Sequence, residues 1–279
     1  MKIGFIGAGK VGFSMGKYLK EHNQIITGYY SRNPKSALEA ADFTNTKVYS
    51  RLDRLVMDSE ILFLTVPDAS IQVVWEKLKQ LPIRDKCIVH CSGSLTSAIF
   101  SEIDRYSAYG YSIHPLFAIS DKYNSYKELS KSLFTIEGDR RYLQTMVSLL
   151  EKCGNSVQVI DAAVKVRYHA AAVMASNLIV GLAKASSDLL MECGFSEENA
   201  AIALNPLMMG NMEAIVASGS KAALTGPIER NDVETVKRHL KALTGNKKEI
   251  YRVISKQLVE LAKEKHPETN YDQMKESLL

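Results

Sequence analysis

Four polar side chains recur along one side of an apolar, alanine-rich segment over residues 163–193. If this segment is one helix, His169 lies about 40° and Ser176 about 20° around its axis from Lys165. Asn177 lies about 120° from Lys165, near the same polar stripe. Transfer of hydride to a carbonyl or imine requires a proton donor and a group that polarises the acceptor. The pattern therefore predicts His169 as general acid, Asn177 as its orienting or polarising partner, and Lys165 as an alternative proton donor.

Two further polar segments follow predicted strands, at the edge of the sheet where parallel α/β folds bind their ligands. The first is His-Cys-Ser-Gly-Ser at 90–94, and the second is Ser-Ile-His-Pro-Leu at 112–116. The proline after His114 restricts that residue to an extended backbone. We expect Ser92 and His114 to line a substrate pocket with the helical stripe, and His90 to be a buried strand residue.

Glycines at positions 7, 9 and 12 follow an apolar strand pattern and precede a helical one. In a dinucleotide-binding loop the first glycine makes a tight turn and the second lets the backbone approach the pyrophosphate. The third glycine lets the helix pack closely on the strand, and amides at the start of that helix bind phosphate oxygens. The residues expected to form this loop are Gly7, Ala8, Gly9, Lys10, Val11 and Gly12.

The end of the second predicted strand, Ser31-Arg32-Asn33, indicates which dinucleotide is bound. NAD-binding proteins usually carry a carboxylate here that bonds the ribose hydroxyl, and this segment has none. An arginine and a hydroxyl can instead bind a 2′-phosphate, so the sequence favours NADP over NAD. A later segment, Thr65-Val66-Pro67, also ends a strand and is expected near the nicotinamide ribose.

The first 160 residues alternate strand and helix patterns, which predicts an α/β Rossmann domain with a doubly wound, mainly parallel sheet. The strands are predicted at Lys2–Ile6, Ile25–Tyr30, Ile61–Val66, Cys87–Cys91, Ser107–Ser112 and Leu133–Glu137. Helices are predicted at Val11–Glu21, Lys35–Ala41, Ser70–Leu78 and Arg141–Lys152. These elements would form the NADP-binding domain, over residues 1–160.

Strand patterns stop after Ile160, which predicts an all-α substrate and dimerisation domain over residues 161–279. Its first two helices are expected at 163–193 and 196–218. A third opens with a capping-box pattern at Asn231 and Glu234. A last amphipathic helix carries Ile250, Ile254, Leu258 and Leu261.

The composition is that of an ordinary globular protein, with 46% apolar and 24% charged residues. The net charge of +4 is small and dispersed, so neither a nucleic-acid nor a membrane partner is expected. No apolar run approaches the roughly 18 residues that a membrane helix requires, and the N-terminal segment lacks a signal-peptide pattern. The four cysteines fit neither a disulfide framework nor a zinc site. We therefore expect a cytoplasmic protein with reduced thiols and no metal.

Five segments resemble the signatures of one family. They are Val89–Ser94, Ser112–Leu116, Tyr168–Ala172, Ala175–Asn177 and Leu224–Asp232. The family consists of NADP oxidoreductases in which a Rossmann-like domain precedes a domain of unknown function 2520. The resemblance runs in order along nearly the whole chain, although Asn231 stands where an Arg-Gly-Asp version of the last signature carries glycine.

This resemblance implies an NADP-dependent oxidoreductase with a C-terminal domain like that of 6-phosphogluconate dehydrogenase. The architecture is also similar to ketopantoate reductase, pyrroline-5-carboxylate reductase and the β-hydroxyacid dehydrogenases. In ketopantoate reductase and the β-hydroxyacid dehydrogenases, a lysine and an asparagine four residues later act on the substrate. Here His169 occupies the position four residues after Lys165, and the family implies no particular substrate.

Two functions are compatible with these residues. The first is an NADPH-dependent reductase or dehydrogenase of a small carbonyl or imine acid, with Ser92, His114, His169 and Asn177 lining the substrate site. The second is a catalytically silent NADP(H)-binding protein that senses the redox state or regulates a partner, with the polar stripe as a dimer-interface network. A helical domain of about 120 residues has a limited core of its own. Because its alanine-rich helix also permits close helix packing, we expect a homodimer.

Overall fold

The computed structural model describes all 279 residues and divides into two compact units, residues 1–176 and 177–279. The first unit contains one eight-stranded sheet. Its strands are β1 Lys2–Ile6, β2 Ile25–Tyr30, β3 Lys47–Val48, β4 Ile61–Leu64, β5 Cys87–His90, β6 Tyr109–Pro115, β7 Phe134–Gly138 and β8 Val157–Val159. They lie in the order β3-β2-β1-β4-β5-β6-β7-β8, and only the β6–β7 pair is antiparallel. This is the predicted doubly wound, mainly parallel Rossmann sheet.

Helices connect these strands and cover both faces of the sheet. They are α1 Lys10–Glu21, α2 Pro34–Thr44, α3 Leu52–Asp58, α4 Asp68–Leu78 and α5 Leu143–Glu151, with 3₁₀ turns at Ser97–Ile99, Ile103–Tyr106, Ser125–Lys131 and Ala162–Val164. Phe5 and Phe63 pack in one buried cluster, while their chain neighbours Ile6, Leu62 and Leu64 pack in another. Because the central strands are buried on both faces, their sequences are continuous apolar runs.

The second unit is all-helical, as predicted. It contains α7 Asn177–Glu192, α8 Glu197–Ala223, α9 Val233–Ala242, α10 Gly245–Lys265 and α11 Asp272–Ser277. Its buried apolar cluster is formed by α9, α10, α11 and the residues just after α8, including Ile228, Val236, Val259 and Met274. Ala200 is the only buried residue of α7 and α8, so these two long helices contribute little to that core.

The single helix predicted over 163–193 is wrong. The helix α6, Lys165–Met174, ends before a turn at Ala175 and Ser176, and α7 begins at Asn177. The Ser176 hydroxyl donates a hydrogen bond to the Ala172 carbonyl at 2.7 Å, and this kind of bond commonly bends helices. Lys165 and His169 therefore share a face of α6, but the rotation counted along one axis does not extend to Ser176 and Asn177.

Other predicted boundaries differ from the structure by a few residues. The strand predicted at 107–112 is β6, which begins at Tyr109 because Ser107 lies in a left-handed turn with φ 50°. The cap of α9 is Asp232, whose side chain accepts a hydrogen bond from the Thr235 amide, and not Asn231. Asn231 has φ 57°, a left-handed conformation that suits the glycine found in the related signature. The compact first unit ends at Ser176, and the hydrogen bond between Tyr168 and His114 joins α6 to β6.

Two helical stretches, Ala162–Glu192 and Glu197–Ala223, are long and apolar enough to cross a membrane. The expectation that no segment is long and apolar enough is therefore wrong. Scattered polar residues interrupt both helices, but the average hydropathy of each remains as high as that of a membrane span. Length and composition do not distinguish a membrane span from a helix covered by a second protein molecule. Large apolar side chains of both helices are exposed, including Leu178, Val180, Leu207 and Val216.

Candidate active site

The glycine loop packs tightly against the end of β4. Gly7 has φ 109°, and a Cβ atom there would lie 2.6 Å from the Thr65 carbonyl oxygen. A Cβ atom on Gly12 would lie 2.6 Å from both the Gly7 carbonyl oxygen and Thr65 Oγ1. Gly9 has no heavy atom within 4 Å of its Cβ position. Gly7 and Gly12 thus permit close packing, while Gly9 leaves free space in which a pyrophosphate can approach the backbone.

A cavity of about 330 Å³ lies beside this loop. Its walls are the loop, the end of β2 and one face of α4, and they comprise Ile6, Gly7, Ala8, Gly9, Tyr30, Ser31, Arg32, Ser36, Leu52, Thr65, Val66, Pro67, Ser70, Val73, Val74 and Lys77. Arg32 and Lys77 are its only charged residues, and no carboxylate lines it. The lining therefore fits NADP, because a cationic wall without an acid can bind a 2′-phosphate.

The remaining predicted cofactor residues do not line the cavity but shape its walls. Lys10, Val11 and Gly12 form the first turn of α1, whose N-cap Gly9 makes no side-chain capping bond, so the first amides stay available to an anion. Asn33 caps α2, because its side-chain oxygen accepts a hydrogen bond from the Lys35 amide at 3.1 Å.

Ser92 organises the loop after β5. Its hydroxyl donates to Asp68 Oδ2 at 2.6 Å and accepts from the amides of Ser94 and Leu95. Asp68 is the first residue of α4, directly after Pro67. The bond thus joins the loop after β5 to the start of α4, next to the cavity residue Pro67.

Two histidines converge on Gly93. A Cβ atom there would lie 2.5 Å from His169 Cδ2 and 2.9 Å from His114 Nε2, so only glycine fits between the two rings. The ring centroids of His114 and His169 are 6.2 Å apart. His114 Nδ1 lies 2.7 Å from the Tyr168 hydroxyl oxygen. The structure therefore brings the predicted residues His114 and His169 into one cluster.

Lys165 is fully buried beside this cluster, and its Nζ has no hydrogen-bond partner. The Nζ atom lies 5.7 Å from the centroid of the Tyr168 ring. Burial lowers the pKa of this ammonium, while the carboxylates of Glu137 and Asp68 act in the opposite direction. Buried charges in proteins are usually paired, so an unpartnered buried lysine is typical of a functional site.

His90 and His114 are held in the neutral form. Burial, assisted by the charge of Lys165, lowers the pKa of His114 to about 4. Burial also lowers the pKa of His90 to about 4, and this residue is a buried strand residue as predicted. Its Nδ1 accepts from the Ser92 amide while Nε2 lies 3.1 Å from the Thr96 carbonyl oxygen, which fixes the tautomer. His90 therefore supports the Ser92 loop.

Asp68 belongs to the cluster but was not predicted as a site residue, whereas Tyr168 lies in the helical segment that was predicted to contribute to the substrate pocket. Asp68 follows the predicted Thr65-Val66-Pro67 segment directly, and Tyr168 lies three residues after Lys165. Residues three apart share one helix face, which is consistent with Tyr168 lying beside Lys165. Asn177 is the exposed first residue of α7, in the second unit.

Two family models match the chain in order. Residues 2–93 match "NADP oxidoreductase coenzyme F420-dependent", and residues 132–258 match "Domain of unknown function (DUF2520)". A protein of known structure from Thermotoga maritima is 30% identical to the chain, with 94% of this chain and 98% of that one covered and a TM-score of 0.75. The chain belongs to the family of NADP oxidoreductases in which these two domains follow each other. The cofactor of this oxidoreductase is NADP, in agreement with the cationic cavity.

More distant structures share the fold of the oxidoreductase. A provisionally named NADP oxidoreductase from Bacteroides fragilis is 20% identical, with 93% and 98% of the two chains covered and a TM-score of 0.69. Pyrroline carboxylate reductase from Plasmodium falciparum, solved with NADP bound, is 15% identical, with 94% and 98% covered and a TM-score of 0.59. No curated protein matches the chain in sequence.

Replacement of Arg32 by alanine should remove much of the preference for NADPH over NADH. A charge-assisted contact of this kind contributes about 1.5–3 kcal/mol, or roughly 10- to 100-fold in affinity. Fluorescence titrations of the unaltered and variant proteins with both nucleotides measure the change. Equal affinities for NADPH and NADH in the unaltered protein would contradict the role of Arg32.

Proposed function

We propose that the oxidoreductase transfers hydride to or from a small carbonyl or imine compound that carries a carboxylate. The observation that carries this proposal is the buried, unpartnered Nζ of Lys165. A carboxylate of the substrate would pair with this group, and a charge pair formed away from water is stronger than one at the surface. Pyrroline carboxylate, named in one of the distant structures, is a cyclic imine that carries a carboxylate.

The cluster around Gly93 supplies the groups that such a reaction needs. When bound, NADPH would supply the hydride. His169 is assigned as the proton donor, because it is half-buried next to His114 on the face of α6 that carries Lys165. His114 stays neutral, so it can hydrogen-bond the acceptor atom without adding charge. Ser92 is assigned to hold the loop after β5 through its hydrogen bond to Asp68.

A panel of NADPH-oxidation assays tests the proposal. It should contain 2-oxo acids, cyclic imine acids and the methyl ester of each. We expect turnover with at least one acid and a much lower kcat/KM for its ester, because the ester cannot form an ion pair with Lys165. Tight NADPH binding without oxidation by any compound would instead support a silent NADP(H)-binding sensor. Equal rates with an acid and its ester would contradict the proposal that the substrate is recognised by its carboxylate.

Replacement of His169 by alanine should lower turnover by the ~10²–10⁴-fold typical of a lost general acid, with little change in NADPH affinity. The exposed His239 provides a matched control, since His239→Ala should leave turnover unchanged. Single-turnover hydride transfer measures a catalytic role of His169, and thermal melting measures a structural role. A variant that melts early but turns over normally would assign His169 a structural role only.

We further propose that the protein is cytoplasmic and forms a homodimer through the exposed apolar faces of α7 and α8. Exposed apolar patches of this extent mark interaction sites, and these helices contribute little to their own unit's core. Light scattering at micromolar concentration should therefore give the mass of a dimer. Val216 is 87% exposed, so Val216→Glu should convert the dimer to monomer while the sheet unit keeps its NADPH affinity. A monomer in the unaltered protein would contradict the proposal.

A further inference from the structure

The cavity beside the glycine loop contains a second cation, at Lys77. One face of α4 lines this cavity with Ser70, Val73, Val74 and Lys77. Val73, Val74 and Lys77 follow Ser70 by three, four and seven residues, which places all four on one side of the helix. Lys77 follows Ser70 by seven residues, or about 10 Å along the axis. The backbone of Lys77 therefore lies about two helical turns beyond that of Ser70, on the same side of α4.

The chemistry of the lining separates this cavity into three regions. The glycine loop and the amides of α1 form the region for the pyrophosphate. Leu52, Val73 and Val74 give an apolar wall suited to a flat base. A third region contains polar groups that neither the pyrophosphate nor the base requires. These are the hydroxyls of Ser31 and Ser36 and the cations Arg32 and Lys77, and no carboxylate lies among them.

Neither cation has an acidic partner within the protein. Arg32 and Lys77 form no ion pair, whereas the neighbouring Lys79 pairs with Glu76 at 2.8 Å. Two unpaired cations that line one cavity repel each other modestly. An anion that binds near both of them lowers their electrostatic energy. A 2′-phosphate carries close to two negative charges, whereas adenine and an unmodified ribose carry none.

We propose that Lys77 is a specificity-determining residue that binds the 2′-phosphate of NADP together with Arg32. Arg32 supplies a planar, bidentate contact from the end of β2, and Lys77 supplies a point charge from α4. The preference for NADP would then depend on two elements of the fold and not on the β2 segment alone. The inference concerns nucleotide binding only, so it does not rest on the proposed substrate.

Equilibrium titrations of the full-length Lys77→Gln variant with NADPH, NADH and adenosine 2′,5′-bisphosphate test this inference. We expect about tenfold weaker binding of NADPH and the bisphosphate, because Lys77 is exposed and solvent screens part of the interaction. NADH affinity should change by less than about twofold, since NADH lacks the phosphate. Lys77→Arg should retain most of the NADPH affinity, and higher salt should reduce the difference between unaltered and Gln variants.

Lys20→Gln is the matched control, since it removes one exposed positive charge from α1 outside the cavity. It should leave the affinity for all three nucleotides unchanged. Equal weakening of NADPH and NADH by Lys77→Gln would assign Lys77 to the adenine or ribose and overturn the proposal. Unchanged NADPH affinity would also overturn it, because Lys77 would then be an ordinary surface lysine. All of these outcomes are binding measurements, so they stay separate from a failure to find the substrate.

Discussion

Replacement of Lys165 by methionine is expected to stabilise the protein and, at the same time, to reduce its activity. The Nζ of Lys165 is buried without a hydrogen-bond partner, and replacing such a group by an apolar one of similar length should raise the free energy of unfolding by about 1–3 kcal/mol. Glu137 would keep its partners, because its carboxylate accepts hydrogen bonds from the Ser97 amide at 2.8 and 2.9 Å. Urea denaturation measures the gain.

The same variant should lower kcat/KM for an acid substrate by about 10²–10³-fold, since losing one partner of a buried ion pair costs roughly 3–4 kcal/mol. The ester of that substrate should be affected much less. Equal losses for acid and ester would place Lys165 at the reacting atoms instead of the carboxylate. A lower melting temperature of the Lys165→Met variant would indicate that Lys165 Nζ has a stabilising partner in the folded protein.

Lys86 provides the matched control. It is also a lysine whose pKa is lowered by burial, but its Nζ donates a hydrogen bond to the Ser59 carbonyl at 2.5 Å. Lys86→Met should therefore destabilise the protein and leave kcat/KM unchanged. Opposite signs in the two lysine variants would show that the unpaired state of Lys165, and not burial in general, determines the result.

The second large effect is a loss of stability in mild acid. The pKa of both His90 and His114 is lowered to about 4 in the folded protein, whereas an unfolded histidine titrates near 6.5. Between these values the unfolded chain binds more protons than the folded one, so the free energy of unfolding falls as the pH decreases. By pH 4.5 the expected loss is about 2.5 kcal/mol for each histidine, and above pH 7 almost none is expected.

Urea denaturation between pH 7.5 and 4.5 measures this loss. His90→Gln and His114→Asn should each remove about half of the slope, and His239→Ala should not change it. The carboxylates with lowered pKa values, such as Asp53 and Asp139, lose their stabilising effect only below about pH 4. A flat profile down to pH 4.5 would mean that both rings take up protons in the folded state.

The sequence predicted the nucleotide region because that region is local. The β1 strand, the Gly7–Gly12 loop and α1 are consecutive, so periodicity and glycine spacing determine them together. Ser31-Arg32-Asn33 likewise indicated NADP from three adjacent residues. By contrast, β3 has two residues and exists only because it pairs with β2, which is a non-local contact that no periodicity records.

The cluster of side chains around Gly93 could be recognised only from the tertiary structure. The sequence indicated His114 and His169, and it determined that Lys165 shares a helix face with His169 because four residues make about one turn. Only folding brings β5, β6 and α6 together so that both rings meet Gly93. Only folding leaves Lys165 buried without a partner, because burial and pairing depend on residues more than twenty positions away. The turn at Ala175–Ser176 was decided in the same way, since nothing in an alanine-rich run shows where a serine will bond to its own helix.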